Sequence, residues 1–378
     1  KWNLFGGPRV GVGVQPVVNS QGYMIIPTAR TSKYINEQFY TVVDPKGNWE
    51  RRSATGVETI GGLILGSKNN EDLFYLAYDY DASYIDTNQN RHAIKGYTVK
   101  CISEKGPKKY STEKWRIPKV NDRTKFTEDY GAIQPHHLIE KNNTVYFKSR
   151  TLSKSFLHAV NSKDGNIKWT VEVLKGENYQ RLIPYPRFDV MNRAIAFNDV
   201  NNQIILVGSK GSVVAYDEDR SYQWTSATKI IADRGGIKTG LNGNIYISGN
   251  YPSGHQKHNN GGYVVCLNSK GEYLWDFNIG FGADYDRNLS KSYQDKTWVS
   301  KIAEGSGDAI YVGGLGGNIW AIDIEKGEKI WKHNMRSSTA AVSNPVVDDG
   351  NNIFYHAERS INIIDKNGDY VYYYSDKG

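Results

Sequence analysis

"GGNIWAIDIEKGEKIW", residues 316 to 331, reads as two short strands joined by a Gly-ended turn and closed by a tryptophan. The phrase recurs along the chain. Its other forms are "YTVVDPKGNW" to Trp49, "TVKCISEKG" leading to Trp115, "LHAVNSKDGNIKW" to Trp169 and "VVAYDEDRSYQW" to Trp224. "VVCLNSKGEYLW" to Trp275 and "INIIDKNGDYVYY" around Tyr372 complete the set, with Trp331 closing the phrase quoted first. The closing aromatics lie 41 to 66 residues apart, the spacing of one structural unit repeated with loops of varied length.

Each aligned column has a physical reading. The turn opens with Asp44, Ser103, Asn161, Asp217, Asn268, Asp323 and Asp365, short polar side chains suited to bonding backbone amides a few residues on. Gly47, Gly106, Gly165, Gly271, Gly327 and Gly368 follow where a positive φ is expected; the fourth unit, "DEDRS", has no glycine there. Two residues before the turn stand Val42, Cys101, Ala159, Ala215, Cys266, Ala321 and Ile363, mostly small, so that neighbouring sheets can approach closely. The closing Trp supplies an apolar plate over that gap.

Between these phrases each unit has two more strand-like runs, such as "KTWVSKIAEGSGD" and "AIYVGGLGG" in the sixth. Every unit is then a four-stranded antiparallel meander, which buries both faces only by stacking on its neighbours. The expected fold is all-β: a single β-propeller domain over residues 1–378, with blades ending near 49, 115, 169, 224, 275, 331 and 372. Seven blades are expected and eight are the alternative. "KWNLFGGP" at the start competes with "DYVYYY" for the last outer strand, and the long second unit, residues 50 to 115, is where a further blade would hide.

Composition agrees. The 378 residues include 27 Tyr, 9 Trp and 38 Gly but only 3 Met, which favours strands and frequent turns. The net charge of +7 is scattered, without the basic stripe or motif of a nucleic-acid binder. No apolar run is long enough to span a bilayer, so no transmembrane segment is expected. The chain opens on Lys1 and strand-like sequence follows, which fits a secreted or extracytoplasmic protein whose signal peptide has been removed. Cys101 and Cys266 occupy one column in non-adjacent units, so they are expected to be buried and unbridged.

The phrases resemble the pyrroloquinoline-quinone-type (PQQ-like) propeller repeat, Ala-x-Asp-x-x-x-Gly-x-x-x-Trp; "AIDIEKGEKIW", Ala321 to Trp331, is the closest match and "AVNSKDGNIKW" follows. That family holds quinoprotein dehydrogenases and non-enzymatic members, among them an outer-membrane assembly lipoprotein and secreted Bacillus-type propellers. The dehydrogenases stack their quinone on an adjacent Cys-Cys disulfide and hold Ca²⁺. Here the two cysteines are 165 positions apart, so the resemblance implies a non-enzymatic, secreted Bacillus-type member.

Other candidate chemistry is sparse. "DYDASYIDTNQN", Asp79 to Asn90, alternates oxygen ligands at Asp79, Asp81 and Ser83 like a Ca²⁺ loop, but Tyr84 and Asn90 stand where Gly and Glu are needed; a solvated loop is expected. His136 and His137 alternate across an expected strand, and His255 and His258 fall in a Gly- and Asn-rich loop. "GGLGGN" lacks the Lys of a phosphate-binding loop and reads as a tight hairpin.

No catalytic, cofactor or metal residue is assigned, and Ca²⁺ at Asp79, Asp81 and Ser83 is the one cofactor left open. The expected function is that of an exported, monomeric, non-enzymatic platform for a protein or an anionic cell-wall or polysaccharide surface, with a quinone- or metal-dependent oxidoreductase as the alternative. The long inserts at residues 80 to 95, 252 to 262 and 280 to 296 are the expected contact loops.

Overall fold

The computed structural model describes residues 17–18, 22, 24–29, 38–53, 58–59, 64–65, 72–85, 91–103, 112–151, 153–175, 195–208, 211–228, 230–250, 262–280, 299–306, 308–314, 318–334, 344–357 and 360–375. They form two compact units, residues 1–190 and 191–378. The first unit holds three antiparallel sheets and the second four, each built in chain order as a meander. Six sheets have four strands; the second has a four-strand path with one further short strand beside it. "DYVYYY" supplies the outer strand of the seventh sheet, Tyr370–Ser375, while "KWNLFGGP" lies outside the described residues. Among the described residues the long second repeat forms one sheet.

The Gly-ended phrase makes the third and fourth strands of each sheet. In the sixth sheet these are Asn318–Asp323 and Lys329–Asn334, in the fifth Gly262–Leu267 and Tyr273–Gly280. The opening polar residue holds the turn with one side-chain oxygen: Asp217 Oδ1 accepts the N–H groups of Asp219 (3.0 Å) and Ser221 (2.7 Å), and Asp323 Oδ1 those of Glu325 (2.9 Å) and Lys326 (2.8 Å). Glycine then takes a positive φ, 80° at Gly271 and 69° at Gly327. In the fourth sheet Arg220 adopts the same conformation, φ 69°, so that turn keeps its shape without the glycine and carries the steric cost of a Cβ there.

The small column has a second reason that the sequence reading missed. Ala321 pairs on one side with Tyr311 of the second strand and on the other with Trp331 of the fourth. The rings of Tyr311 and Trp331 meet over that methyl group with centroids 5.7 Å apart. Tyr246 and Trp275 do the same over Cys266 (6.0 Å), and Tyr146 and Trp169 over Ala159 (6.0 Å). A bulge just after the small residue sets the Trp in register. The first sheet has no bulge: its turn is two residues shorter before the indole, so Trp49 pairs with Val43, Glu50 faces Val42, and Trp49 is 52 % exposed.

The indole also reaches the next sheet. A Cβ on Gly271 would stand 2.3 Å from Trp224, and one on Gly327 2.5 Å from Trp275. Each Nε1–H donates to the carbonyl of the residue after the turn's opening: Trp115 to Ser162 (2.8 Å), Trp224 to Ser269 (3.1 Å), Trp275 to Ile324 (3.1 Å) and Trp331 to Lys366 (2.7 Å). Apolar cores fill the space behind these contacts. Ile205, Val213 and Ala215 of the fourth sheet meet Ile245, Ile247 and Val265 of the fifth; Cys266 and Trp275 of the fifth meet Ile310 and Val312 of the sixth.

Two substitutions test the turn. Gly271→Ala adds a Cβ at a positive φ and against an indole, and should destabilise the chain by about 1–3 kcal/mol. Arg220→Gly removes the Cβ penalty and should raise stability by up to about 1 kcal/mol after the entropy of a freer unfolded chain is counted. Urea unfolding of the two variants should move the midpoint in opposite directions.

Candidate functional site: the loop-bearing ends of the sheets

In a four-stranded meander the first and third turns share one end, and the second turn and the connection to the next sheet share the other. The first end is compact: in sheets three to seven its turns are 142–143 and 162–166, 199–202 and 218–221, 240–244 and 268–272, 305–308 and 324–328, and 348–352 and 365–369. These turns are occupied in holding neighbours. Asn198 Nδ2 donates to the Gly243 carbonyl (2.9 Å), Leu241 N–H to Glu304 Oε1 (3.0 Å), and Ser306 N–H to Asn351 Oδ1 (2.8 Å). Among the described residues the longest connection, 118–131 in the first unit, falls at the opposite end. Apart from Gly262 and Gly280, the inserts expected at 252 to 262 and 280 to 296 lie outside the described residues, as do His255 and His258.

The insert expected at 80 to 95 is corrected. Asp72–Ile85 and Arg91–Ser103 are strands of one long hairpin, so the loop narrows to residues 86–90. Asp79, Asp81 and Ser83 therefore sit on extended backbone of a strand, not in the solvated loop expected there. His136 and His137 stand in the strand Ala132–Lys141 where its pairing shifts register between Ile133 and Leu138, so simple alternation does not hold there. "GGLGGN" joins Ala309–Gly313 to Asn318–Asp323, with the Gly314 N–H on the Asn318 carbonyl (2.9 Å), as a hairpin does.

Cys101 and Cys266 are free and fully buried, each facing a closing tryptophan across the strand pair. Burial pushes the Cys266 thiol up to about 12, which keeps it protonated. Trp115 and Trp275 are buried, whereas Tyr372 in the seventh sheet is 55 % exposed. Asp44 and Asp365 are held below the usual carboxylate range, Asp44 first by the Asn48 side chain and Asp365 first by the Asp369 N–H.

A helix, Arg123–Tyr130, stands in the connection from the second to the third sheet. Only Phe126 and Thr127 of it are buried, too weak a periodicity to announce a helix; the sequence signals are Pro118 before it and Gly131 (φ 72°) at its end. Phe126 and Tyr130 roof His158, with centroids 5.4 and 5.2 Å from its ring, and Phe147 stacks beneath at 4.7 Å. Ser149 Oγ donates to the Tyr130 carbonyl (2.8 Å), so it accepts from His158 Nε2–H (2.8 Å), and Nδ1 accepts from the Thr170 hydroxyl (2.9 Å). Ser149 and His158 are both fully buried, so this hydroxyl–imidazole pair fastens the helix to the sheet and meets no substrate.

Burial lowers the His158 pKa from 6.5 to about 3. With the folded value depressed, the unfolded chain takes up a proton that the folded chain refuses. This stability is present above about pH 6.5 and is lost as pH falls toward 3. Between pH 7 and pH 5 the chain should lose about 2 kcal/mol through this residue. Urea unfolding of His158→Gln should show a shallower fall over the same interval.

Seven antiparallel meanders, four of which pass an indole to the turn of the next sheet, define a β-propeller of four-stranded blades. Comparison with known proteins agrees. Residues 260–378 match the family described as PQQ_2: Outer membrane protein assembly factor BamB. BamB from Moraxella catarrhalis aligns at 12 % identity over 98 % of this chain and 87 % of that one, with a TM-score of 0.58. The computationally designed Ika8 protein aligns at 13 % identity over 97 % and 90 %, with a TM-score of 0.54. Quinohemoprotein alcohol dehydrogenase ADHIIG from Pseudomonas putida HK5 aligns over 63 % of this chain and 41 % of that one, at 15 % identity and a TM-score of 0.43. No curated protein matches the sequence. At these identities the structural likeness shows the fold. The family match, over residues 260–378, agrees with the PQQ-like repeat read in the sequence.

Proposed function

We propose that this propeller is a non-enzymatic platform, working outside the cytoplasm, that holds a protein partner at the loop-bearing ends of its sheets. One observation carries the reading: in sheets four to seven the turns at the compact ends are spent on holding sheet to sheet, while the connection 118–131 at the other end of its sheet grows a helix that the repeat does not require. The family matched by residues 260–378 is named for an assembly factor, which favours a protein partner over a small substrate. The two cysteines, buried in separate sheets, offer no adjacent pair on which a quinone would stack. Among the described residues no helix is long and apolar enough to cross a membrane. With a net charge of +7, the platform attracts acidic partners at long range.

The immobilised chain, incubated with envelope extract, should retain one protein at 1:1 stoichiometry in about 1 M salt, where the Debye length falls to about 3 Å and unspecific charge attraction is gone. Retention of anionic polysaccharide alone, lost at that salt, would replace the protein partner with a cell-wall surface. Turnover of an alcohol with added quinone and Ca²⁺ would overturn the non-enzymatic reading.

A further inference from the structure

The sequence holds three Asn-Gly pairs, at 242–243, 260–261 and 367–368, and the second lies outside the described residues. Asn-Gly is the dipeptide most open to self-modification, because a glycine nitrogen with no Cβ beside it can reach the asparagine side chain. The two described pairs close turns of one shape. Gly243 N–H donates to the Gly240 carbonyl (3.0 Å) and Gly368 N–H to the Asp365 carbonyl (3.0 Å). Both glycines take a positive φ, 81° and 87°.

Their asparagines are held differently. Asn242 Oδ1 accepts the Asn244 N–H (2.9 Å), and its Nδ2 donates to the Tyr246 hydroxyl (3.4 Å). Gly243 beside it is buried, and its carbonyl accepts from Asn198 Nδ2 (2.9 Å). Asn367 is exposed, and its Nδ2 reaches Asp365 Oδ2 across 3.3 Å. The amide of Asn242 is thus fastened through both oxygen and nitrogen, and that of Asn367 through its nitrogen to a neighbour in the same turn.

The contact between the sixth and seventh sheets is what keeps Asn367 intact. Trp331 lies against Gly368, where a Cβ would stand 3.0 Å from the indole, and its Nε1–H donates to the Lys366 carbonyl (2.7 Å). His333 Nδ1–H donates to the Gly368 carbonyl (2.9 Å). From within the turn, Asp365 Oδ1 accepts the N–H groups of Asn367 (2.8 Å) and Asp369 (2.9 Å). While these bonds hold, the Gly368 nitrogen stays on the Asp365 carbonyl and away from Asn367 Cγ.

We propose that Asn367 is a site of spontaneous modification, converted when the contact between the sixth and seventh sheets opens. The Gly368 nitrogen loses its proton and attacks Asn367 Cγ. The N–Cγ bond forms, the Cγ–Nδ2 bond breaks, and ammonia leaves. Water then opens the resulting five-membered imide at either carbonyl, which gives aspartate or isoaspartate, and no other reactant is needed. The isoaspartate form has one more carbon in the main chain before Gly368, so the glycine no longer fits beneath Trp331. The aspartate form puts a carboxylate beside that of Asp365, where the amide had donated to it, and like charges repel. Either product weakens the contact that had protected the site. Conversion is therefore self-reinforcing, and this seam records the age of the molecule.

The test ages the full chain in warm, mildly alkaline buffer and follows residues 242 and 367 by peptide mapping and mass spectrometry. Asn367 should convert ahead of Asn242, and more slowly than in a free peptide spanning Asp365 to Tyr370. Trp331→Leu should speed conversion at Asn367 by about tenfold, the factor for about 1.4 kcal/mol of lost closure, and leave Asn242 unchanged. His333→Phe removes one bond to the turn and should act in the same direction. The aged chain should unfold at a lower urea concentration than the fresh chain. Asn367→Gln, whose longer side chain does not form the five-membered ring, should lose less on ageing. No conversion at Asn367, or conversion of Asn242 first, would overturn the proposal. So would a rate at Asn367 equal to that of the free peptide, no acceleration in either variant, or an equal loss of stability in Asn367→Gln.

Discussion

The sheets of this chain depend on an indole laid against a glycine of the following sheet, a contact made at Gly165, Gly271, Gly327 and Gly368. The contact requires three things of the sequence at once. The glycine must have no Cβ, because one would stand 2.5 Å from Trp275 at Gly327 and 2.8 Å from Trp115 at Gly165. The turn must expose a carbonyl for the indole N–H, as Ile324 does at 3.1 Å. The residue beneath the ring must be small, since Tyr246 and Trp275 close over Cys266, and Tyr311 and Trp331 over Ala321. Turn, small residue and tryptophan are thus parts of one joint, and the joint is what repeats.

That division of labour leaves function to the other end of each sheet. The compact ends are held by capped turns and by bonds from one sheet to the next, such as Ser306 to Asn351 and Asn198 to Gly243. At the loop-bearing ends the chain is free to grow a helix, Arg123–Tyr130, or to lengthen a hairpin to Ile85 and Arg91. The scaffold's rigidity and the variability of one end have the same source.

The repeat was legible because its constraints are local. Asp323, Gly327 and Trp331 lie within nine residues of one another, so their roles in cap, positive φ and plate can be read directly from the sequence. The aromatic in the second strand was not legible, because Tyr311 meets Trp331 across an intervening strand and only pairing brings them together. Trp49 matched the pattern in letters but not in register, since its turn lacks the two residues that make the bulge. The stretch from Asp79 to Ile85 reads as loop by its polarity and forms strand because Arg91–Lys95 pairs with it. His158 gave no signal at all: its partners Ser149, Thr170 and Tyr130 come from three different elements.

The most direct test of the joint is a double-mutant cycle between Trp275→Leu and Gly327→Ala, followed by urea unfolding. If the indole and the glycine form one contact across two sheets, the alanine costs less once the indole is gone, and the two changes depart from additivity by about 0.5–3 kcal/mol. Additivity within about 0.3–0.5 kcal/mol would mean that the glycine serves only its own turn, and that the sheets are held together by something else.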